Sequence, residues 1–234
     1  MVIYRMPRHI SIVLPSSHCP ECKTPLPWYL NIPLLSFILL RGKCRFCGKR
    51  ISFRYPLVEL ATALSFLFLF RKFGFTSSFV IYLILVLDLI LVTFIDWEHL
   101  YIPDLFTLGL LPVGWLTSFY NPVFSNTPLL SSFLGAVTGF ISLLIIGLFG
   151  KVLFRKEAMG GGDLKLLAGI GSFLGIKGVF FTIFLSSLLG SFIGILLILF
   201  KIKKKGDYIP YGPFLSIGAV IFLFSREILE RLFF

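Results

Sequence analysis

Three stretches of this chain carry no charged side chain at all: Leu105 to Gly150, Gly178 to Phe200 and Tyr208 to Ser225. A helix that crosses a bilayer needs roughly 20 mostly apolar residues in a row. These runs meet that need without the period-two alternation that a membrane β-barrel strand would show. With 57% hydrophobic and only 14% charged residues, and a mean hydropathy of +0.94, the chain holds more apolar surface than one water-soluble core can hide, since soluble domains are near one-quarter charged. The expected fold is therefore an all-α polytopic membrane protein. Helices are expected at about 56–72, 78–96, 104–119, 129–150, 163–176, 178–200 and 212–232. Asn121-Pro122 and Pro128 punctuate the longest uncharged run, and Gly175-Ile176-Lys177-Gly178 turns one short segment into the next. About seven transmembrane helices follow a polar region at 1–55, which divides the chain into 1–55 and 56–234.

The formal net charge is +11, yet its distribution argues against nucleic acid as a partner. Of 22 Lys and Arg, nine precede Pro56, four lie in Lys151–Lys165 and four in Lys201–Lys205. Basic residues in short loops mark the cytoplasmic side. Threading the helices accordingly puts 1–55, 97–103, 151–162 and 201–211 on the cytoplasmic face, with Arg71, Lys72, Arg226 and Arg231 on the other. The lipid bilayer is an expected partner, with a minor attraction to anionic lipid.

All four cysteines fall in two pairs, Cys19-Pro20-Glu21-Cys22 and Cys44-Arg45-Phe46-Cys47, with residues 23–43 between them. Two such knuckles can bring four thiolates into a tetrahedron around zinc. Filled by four protein ligands, the site would be structural. A redox pair or disulfides are the alternatives, disfavoured by a reducing cytosol. His18 reads as a surface residue. Leu34 to Leu40 is too short to span and reads as a hairpin arm or a piece dipping towards the membrane surface.

Two carboxylates stand at the edges of apolar sequence. Asp163 ends the glycine run Gly160-Gly161-Gly162 and opens a helix; Asp96 closes another in Phe94-Ile95-Asp96. Two carboxylates sharing a site do not both ionise readily, so one can hold a proton while the other activates a water against a peptide carbonyl. Helix polarity favours Asp163 as the base and Asp96 as the acid. Each also has a plain reading, Asp163 as a helix N-cap and Asp96 as an interfacial residue. Asp104 reads as an N-cap, and Glu98 and His99 as solvated loop residues. Asp88 lies about 12 Å deeper than Asp96 along the same helix and must face the interior or pair with a polar group. Glu59 reads as an interior hydrogen-bonding residue.

These blocks, in order, resemble the prepilin peptidases, or type IV prepilin leader peptidases, membrane aspartic proteases of the GxGD type. The resemblance rests on Val2-Ile3-Tyr4-Arg5-Met6-Pro7-Arg8, the paired knuckles, Arg54-Tyr55-Pro56-Leu57-Val58-Glu59-Leu60, Phe94-Ile95-Asp96 with Ile102-Pro103-Asp104, Gly160-Gly161-Gly162-Asp163-Leu164-Lys165-Leu166, and Ile209-Pro210-Tyr211-Gly212-Pro213-Phe214-Leu215. It implies catalytic roles for Asp96 and Asp163, zinc on Cys19, Cys22, Cys44 and Cys47, and a peptidase domain over 56–234. The implied activity is cleavage of a basic leader from type IV prepilins or type II secretion pseudopilins, after a glycine at the cytoplasmic face of the bacterial inner membrane. S-adenosylmethionine-dependent N-methylation of the new terminus is implied as well. No glycine-rich nucleotide fingerprint of the Rossmann kind is present, so no residue is assigned to the methyl donor. In the family the Val-Ile-Tyr-Arg block ends a first transmembrane helix; here it begins at residue 2, so this chain is expected to lack that helix.

Two other classes compete. A transporter would use intramembrane carboxylates as a proton relay, but it would place ionisable groups along a midplane path, where only Asp88 lies. An assembly factor would use the zinc region as a docking platform without catalysis. Cleavage of a prepilin by the purified protein separates both from the peptidase.

Overall fold

A computed structural model describes residues 2–8, 10–11, 13–14, 16–124, 127–155, 159–204 and 207–233. Lys156 and Lys205 of the basic clusters lie outside the described residues. The described chain is helical, with two isolated bridges, His18–Pro25 and Lys43–Arg50, as its only β pairing. It divides into two compact units, Met1–Gly74 and Phe75–Phe234.

The first unit holds α1 (Val2–Arg5), α2 (Leu35–Leu39) and α3 (Arg54–Phe73). Arg5 is only 2% exposed. Its guanidinium donates to the carbonyls of Ser11 (3.0 Å) and Ser16 (3.2 Å), drawing the chain towards the first knuckle. Glu59, on α3, accepts the backbone N–H of Leu34 at 2.7 Å. That bond ties the turn before α2 to α3, which accounts for a carboxylate so early in an apolar helix.

The second unit comprises α4 (Ser77–His99), α5 (Asp104–Leu108), α6 (Leu110–Thr117), α7 (Pro128–Phe154), α8 (Gly161–Leu199) and α9 (Gly212–Phe233). Thr76 caps α4 by accepting the N–H of Phe79. Leu100, in the left-handed region at φ 52°, stops it and returns its N–H to the carbonyl of Asp96. α8 is interrupted at Gly175, whose φ of 67° and ψ of −174° are not helical. The chain turns back there, so that both arms of α8 lie along α7. Gly139 of α7 packs on Leu167 of the first arm, while Ile141 and Ile145 line a cavity with Phe180 and Ile183 of the second.

Helix contacts in this unit rest on small residues. Gly135 of α7 and Gly171 of α8 face each other so closely that a side chain at either would strike the other's carbonyl. Such close backbone approach is the usual basis of helix association in lipid, where burial of apolar surface gives no net drive. The second arm of α8 packs on α9 in the same manner, Gly218 against Thr182 and Gly178 against Phe222.

Among the described residues, four helices are long and apolar enough to cross a membrane: Ser77–His99, Pro128–Leu153, Gly161–Leu199 and Gly212–Leu229. The protein is thus a helical membrane protein. Seven spans go beyond what helix length and composition carry. α3 bears Arg54, Glu59, Arg71 and Lys72, α5 and α6 are each short, and the two expected helices 163–176 and 178–200 are arms of α8 joined at Gly175.

Candidate active site and thiol cluster

Asp96 sits in the last turns of α4, 5% exposed. Its Oδ2 accepts the backbone N–H of Gly212 at 3.0 Å, at the first residue of α9. Asp163 is 9% exposed and lies in the first turn of α8. The cap of that helix is Gly160, not Asp163: Gly160 accepts the N–H of Asp163 at 3.2 Å and donates its own N–H to Asp163 Oδ2 at 3.3 Å. Each carboxylate is therefore held by one glycine N–H at the start of a helix. The two sites meet at one side chain: Gly212, which binds Asp96, and Gly162, which precedes Asp163, both lie against Ile102. The sequence favours Asp163 as base and Asp96 as acid on helix polarity, but the α9 N-terminus reaches Asp96 as well, so polarity alone does not divide the two roles.

The segment 100–103 joins α4 to α5. Ile102 is buried at 5% exposure and packs against the α-carbons of Gly162 and Gly212. Asp104 is the first residue of α5, capped by Pro103, and pairs with Lys165 at 2.6 Å. Spacing gave no sign of that pair, which links residues 61 apart. Glu98 and His99 belong to the last turn of α4, 3.8 Å apart and about one-third exposed, not to a loop. Asp88 lies within α4 with Oδ2 enclosed and without a hydrogen-bond partner among the described residues. The polar partner expected for it is thus not found there.

In the first unit, the thiols of Cys19, Cys22, Cys44 and Cys47 all lie within 4.8 Å of one another, and all four cysteines are free. The two knuckles fold alike. In one, Lys23 N–H bonds the Cys19 carbonyl at 2.9 Å and Lys23 takes a positive φ of 56°; in the other, Gly48 N–H bonds the Cys44 carbonyl at 3.0 Å at φ 69°. Cys19 Sγ and Cys47 Sγ are 3.9 Å apart. Four sulfurs at 2.3 Å from one tetrahedral zinc would be about 3.8 Å from each other.

The thiols are primed for a cation. The Thr24 hydroxyl and backbone hold Cys22 down at about 6, and the N–H groups of Cys47 and Phe46 lower Cys44. For Cys47 the N–H of Lys49 pulls downward, but burial and the neighbouring cysteines push it up to about 11. Thiolates crowd here to the point that the last proton stays on unless a metal replaces it. His18 takes no part: its Nδ1 is 2.8 Å from the Ser16 carbonyl.

Residues 1–73 match the family described as Bacterial Peptidase A24 N-terminal domain, and residues 83–195 match the Type IV leader peptidase family. The chain is similar to a Prepilin leader peptidase/N-methyltransferase of Neisseria gonorrhoeae, 40% identical over 96% of this chain and 76% of the relative. Relatives of the same name from Xanthomonas campestris pv. campestris and Pseudomonas aeruginosa are each 38% identical over 94% of this chain, covering 76% and 75% of their own lengths. No solved structure matches. With both matched segments in order and curated relatives alike over nearly its whole length, the chain belongs to the type IV leader peptidase family, an enzyme family that joins peptidase to N-methyltransferase.

Proposed function

We propose that this protein is a membrane aspartic endopeptidase in which Asp96 and Asp163 are the catalytic pair. The observation that carries the reading is their placement. Two carboxylates 67 positions apart (163 − 96) are both buried, both bound by a helix-initiating glycine N–H, and their neighbours Gly162 and Gly212 lie against one side chain, Ile102. One carboxylate of such a pair takes a proton from water as it attacks the scissile carbonyl, and the other protonates the leaving amine.

The substrate is a type IV prepilin or type II secretion pseudopilin, whose basic leader is cut after a glycine at the cytoplasmic face of the bacterial inner membrane. The basic loops support that side. The new N-terminal residue is then methylated from S-adenosylmethionine. The four-thiol cluster holds a structural zinc within a cytoplasmic region spanning 1–55, ahead of a peptidase domain over 56–234. Zinc there would stabilise the two knuckles and leave no open coordination position for chemistry.

The test is cleavage of a prepilin by protein reconstituted in vesicles, with Asp96→Asn and Asp163→Asn alongside. Mass spectrometry of the pilin N-terminus reads cleavage and methylation together. Loss of cleavage in both variants supports the pair. Cleavage surviving either substitution removes that residue from the catalytic role.

A further inference from the structure

Gly212 does more than open α9. Its N–H reaches Asp96 Oδ2 at 3.0 Å, and a Cβ built on it would lie 2.8 Å from the same oxygen and 3.1 Å from Ile102 Cδ1. A Cβ on Gly162 would lie 3.0 Å from Ile102 Cβ and 3.5 Å from the same Cδ1. The Ile102 side chain therefore lies against both the glycine that precedes Asp163 and the glycine that binds Asp96. The segment bearing it is fixed at both ends. Leu100 N–H is bonded to the Asp96 carbonyl at 2.9 Å, and Asp104 is paired with Lys165 at 2.6 Å.

We propose that Ile102 and Gly212 are positioning residues for the cleavage reaction: Ile102 is an apolar wedge that sets the separation of the two carboxylates, and Gly212 aims Asp96 into the shared site. This rests on the reading of Asp96 and Asp163 as the catalytic pair. A branched side chain with no polar atom suits the wedge, since it fixes distance by packing without competing for the proton. Glycine suits position 212 because any side chain there occupies the space of the carboxylate it serves. A displacement on the order of 1 Å at reacting groups costs roughly 100-fold in rate, so small changes here should be read in turnover, not in substrate binding.

The experiment compares Ile102→Ala, Gly212→Ala and the double variant in proteoliposomes with a prepilin substrate. Gly194→Ala is the control, since a Cβ there makes only an ordinary contact, 3.5 Å from Ile209. We expect kcat to fall roughly 10- to 100-fold in each single variant with KM changed less than about twofold. Methylation of a pre-cleaved pilin should be unaltered, and Gly194→Ala should retain full turnover. The double variant should stay impaired, because removing Ile102 leaves the new methyl of Gly212→Ala against the Asp96 carboxylate. Unchanged kcat in Ile102→Ala overturns the proposal, as does parallel loss of kcat, methylation and thermal stability, which marks a purely structural role. If Gly212→Ala fails to accumulate, Ile102→Ala decides alone. An active Asp96→Asn retires the catalytic reading itself, whereas an inactive Asp96→Asn beside a fully active Ile102→Ala retires only this inference.

Discussion

Asn121 donates its side-chain amide to the carbonyl of Phe173, 2.8 Å away and 52 residues on in sequence. Phe173 lies just before the interruption at Gly175, where a helix that stops running leaves carbonyls without their usual donors. Ser132 supplies the neighbouring carbonyl of Ser172 through its hydroxyl at 2.6 Å. The oxygen of Asn121 in turn accepts from the Tyr82 hydroxyl at 2.7 Å and the Val123 N–H at 3.0 Å. One buried amide thus joins α4, the 121–123 turn and α8. Asn121→Ala removes three hydrogen bonds at once, and a buried polar group left unsatisfied costs about 1–3 kcal/mol. We expect a clear fall in thermal unfolding temperature in detergent, larger than that of Tyr82→Phe, which leaves the bonds of Asn121 to Phe173 and Val123 in place. An Asn121→Ala protein as stable as the parent would contradict this network.

Gly175 itself should resist substitution. At φ 67° and ψ −174° it occupies backbone space open almost only to glycine, and holding another residue there costs of order 1–3 kcal/mol. A Cβ would also lie 3.0 Å from the Phe124 ring. Gly175→Ala should therefore lower unfolding temperature where Gly194→Ala does not. Equal unfolding temperatures for the two would mean that the turn between the arms of α8 relaxes freely.

The sequence exposed the helices well because membrane spans are written in composition: an uncharged run needs no partner to be recognised. Both carboxylates and all four cysteines were legible for the related reason that charge and thiol are conspicuous in or beside apolar sequence. Contacts made by ordinary residues were not. Nothing in the spacing of Gly135 and Gly139 reveals that Gly171 and Leu167 face them, and Ile102 is one apolar residue among many. Asp104 looked like a cap because it follows proline and precedes an apolar run; its partner Lys165 lies on another helix, which no local pattern reports. The helix ends misled for a similar reason. Asp96 closes α4 in sequence, but α9 brings a second helix start to it from Gly212.

Metal uptake by the thiol cluster should carry a definite pH dependence. Ligand thiols must lose their protons to bind. Cys22, held at about 6, is already a thiolate at neutral pH, whereas Cys47, at about 11, keeps its proton until the metal arrives. Zinc binding at pH 7 should therefore release protons, and affinity should rise with pH and fall as the solution is acidified. Titration calorimetry in buffers of different ionisation enthalpy measures the release directly. Cys19→Ser and Cys44→Ser should each reduce bound zinc from about one ion per chain towards none, as read by elemental mass spectrometry. Retained zinc in both variants would rule out the four-thiol site.

Cleavage should depend on pH from both directions. If Asp96 and Asp163 share one proton, acidification adds a second and leaves no base to activate water. Alkalinisation removes the first and leaves no acid for the departing amine. The rate should then pass through a maximum and fall on each side with a slope approaching about tenfold per pH unit, one proton per limb. The two apparent constants belong to the pair as a unit, not to either residue. Measured as kcat/KM in vesicles, with protein integrity checked by recovery of activity on return to the optimum, a profile with a single limb would mean that the two carboxylates do not act through a common proton. A flat profile would mean that neither carboxylate titrates during catalysis, and the water would then need another base.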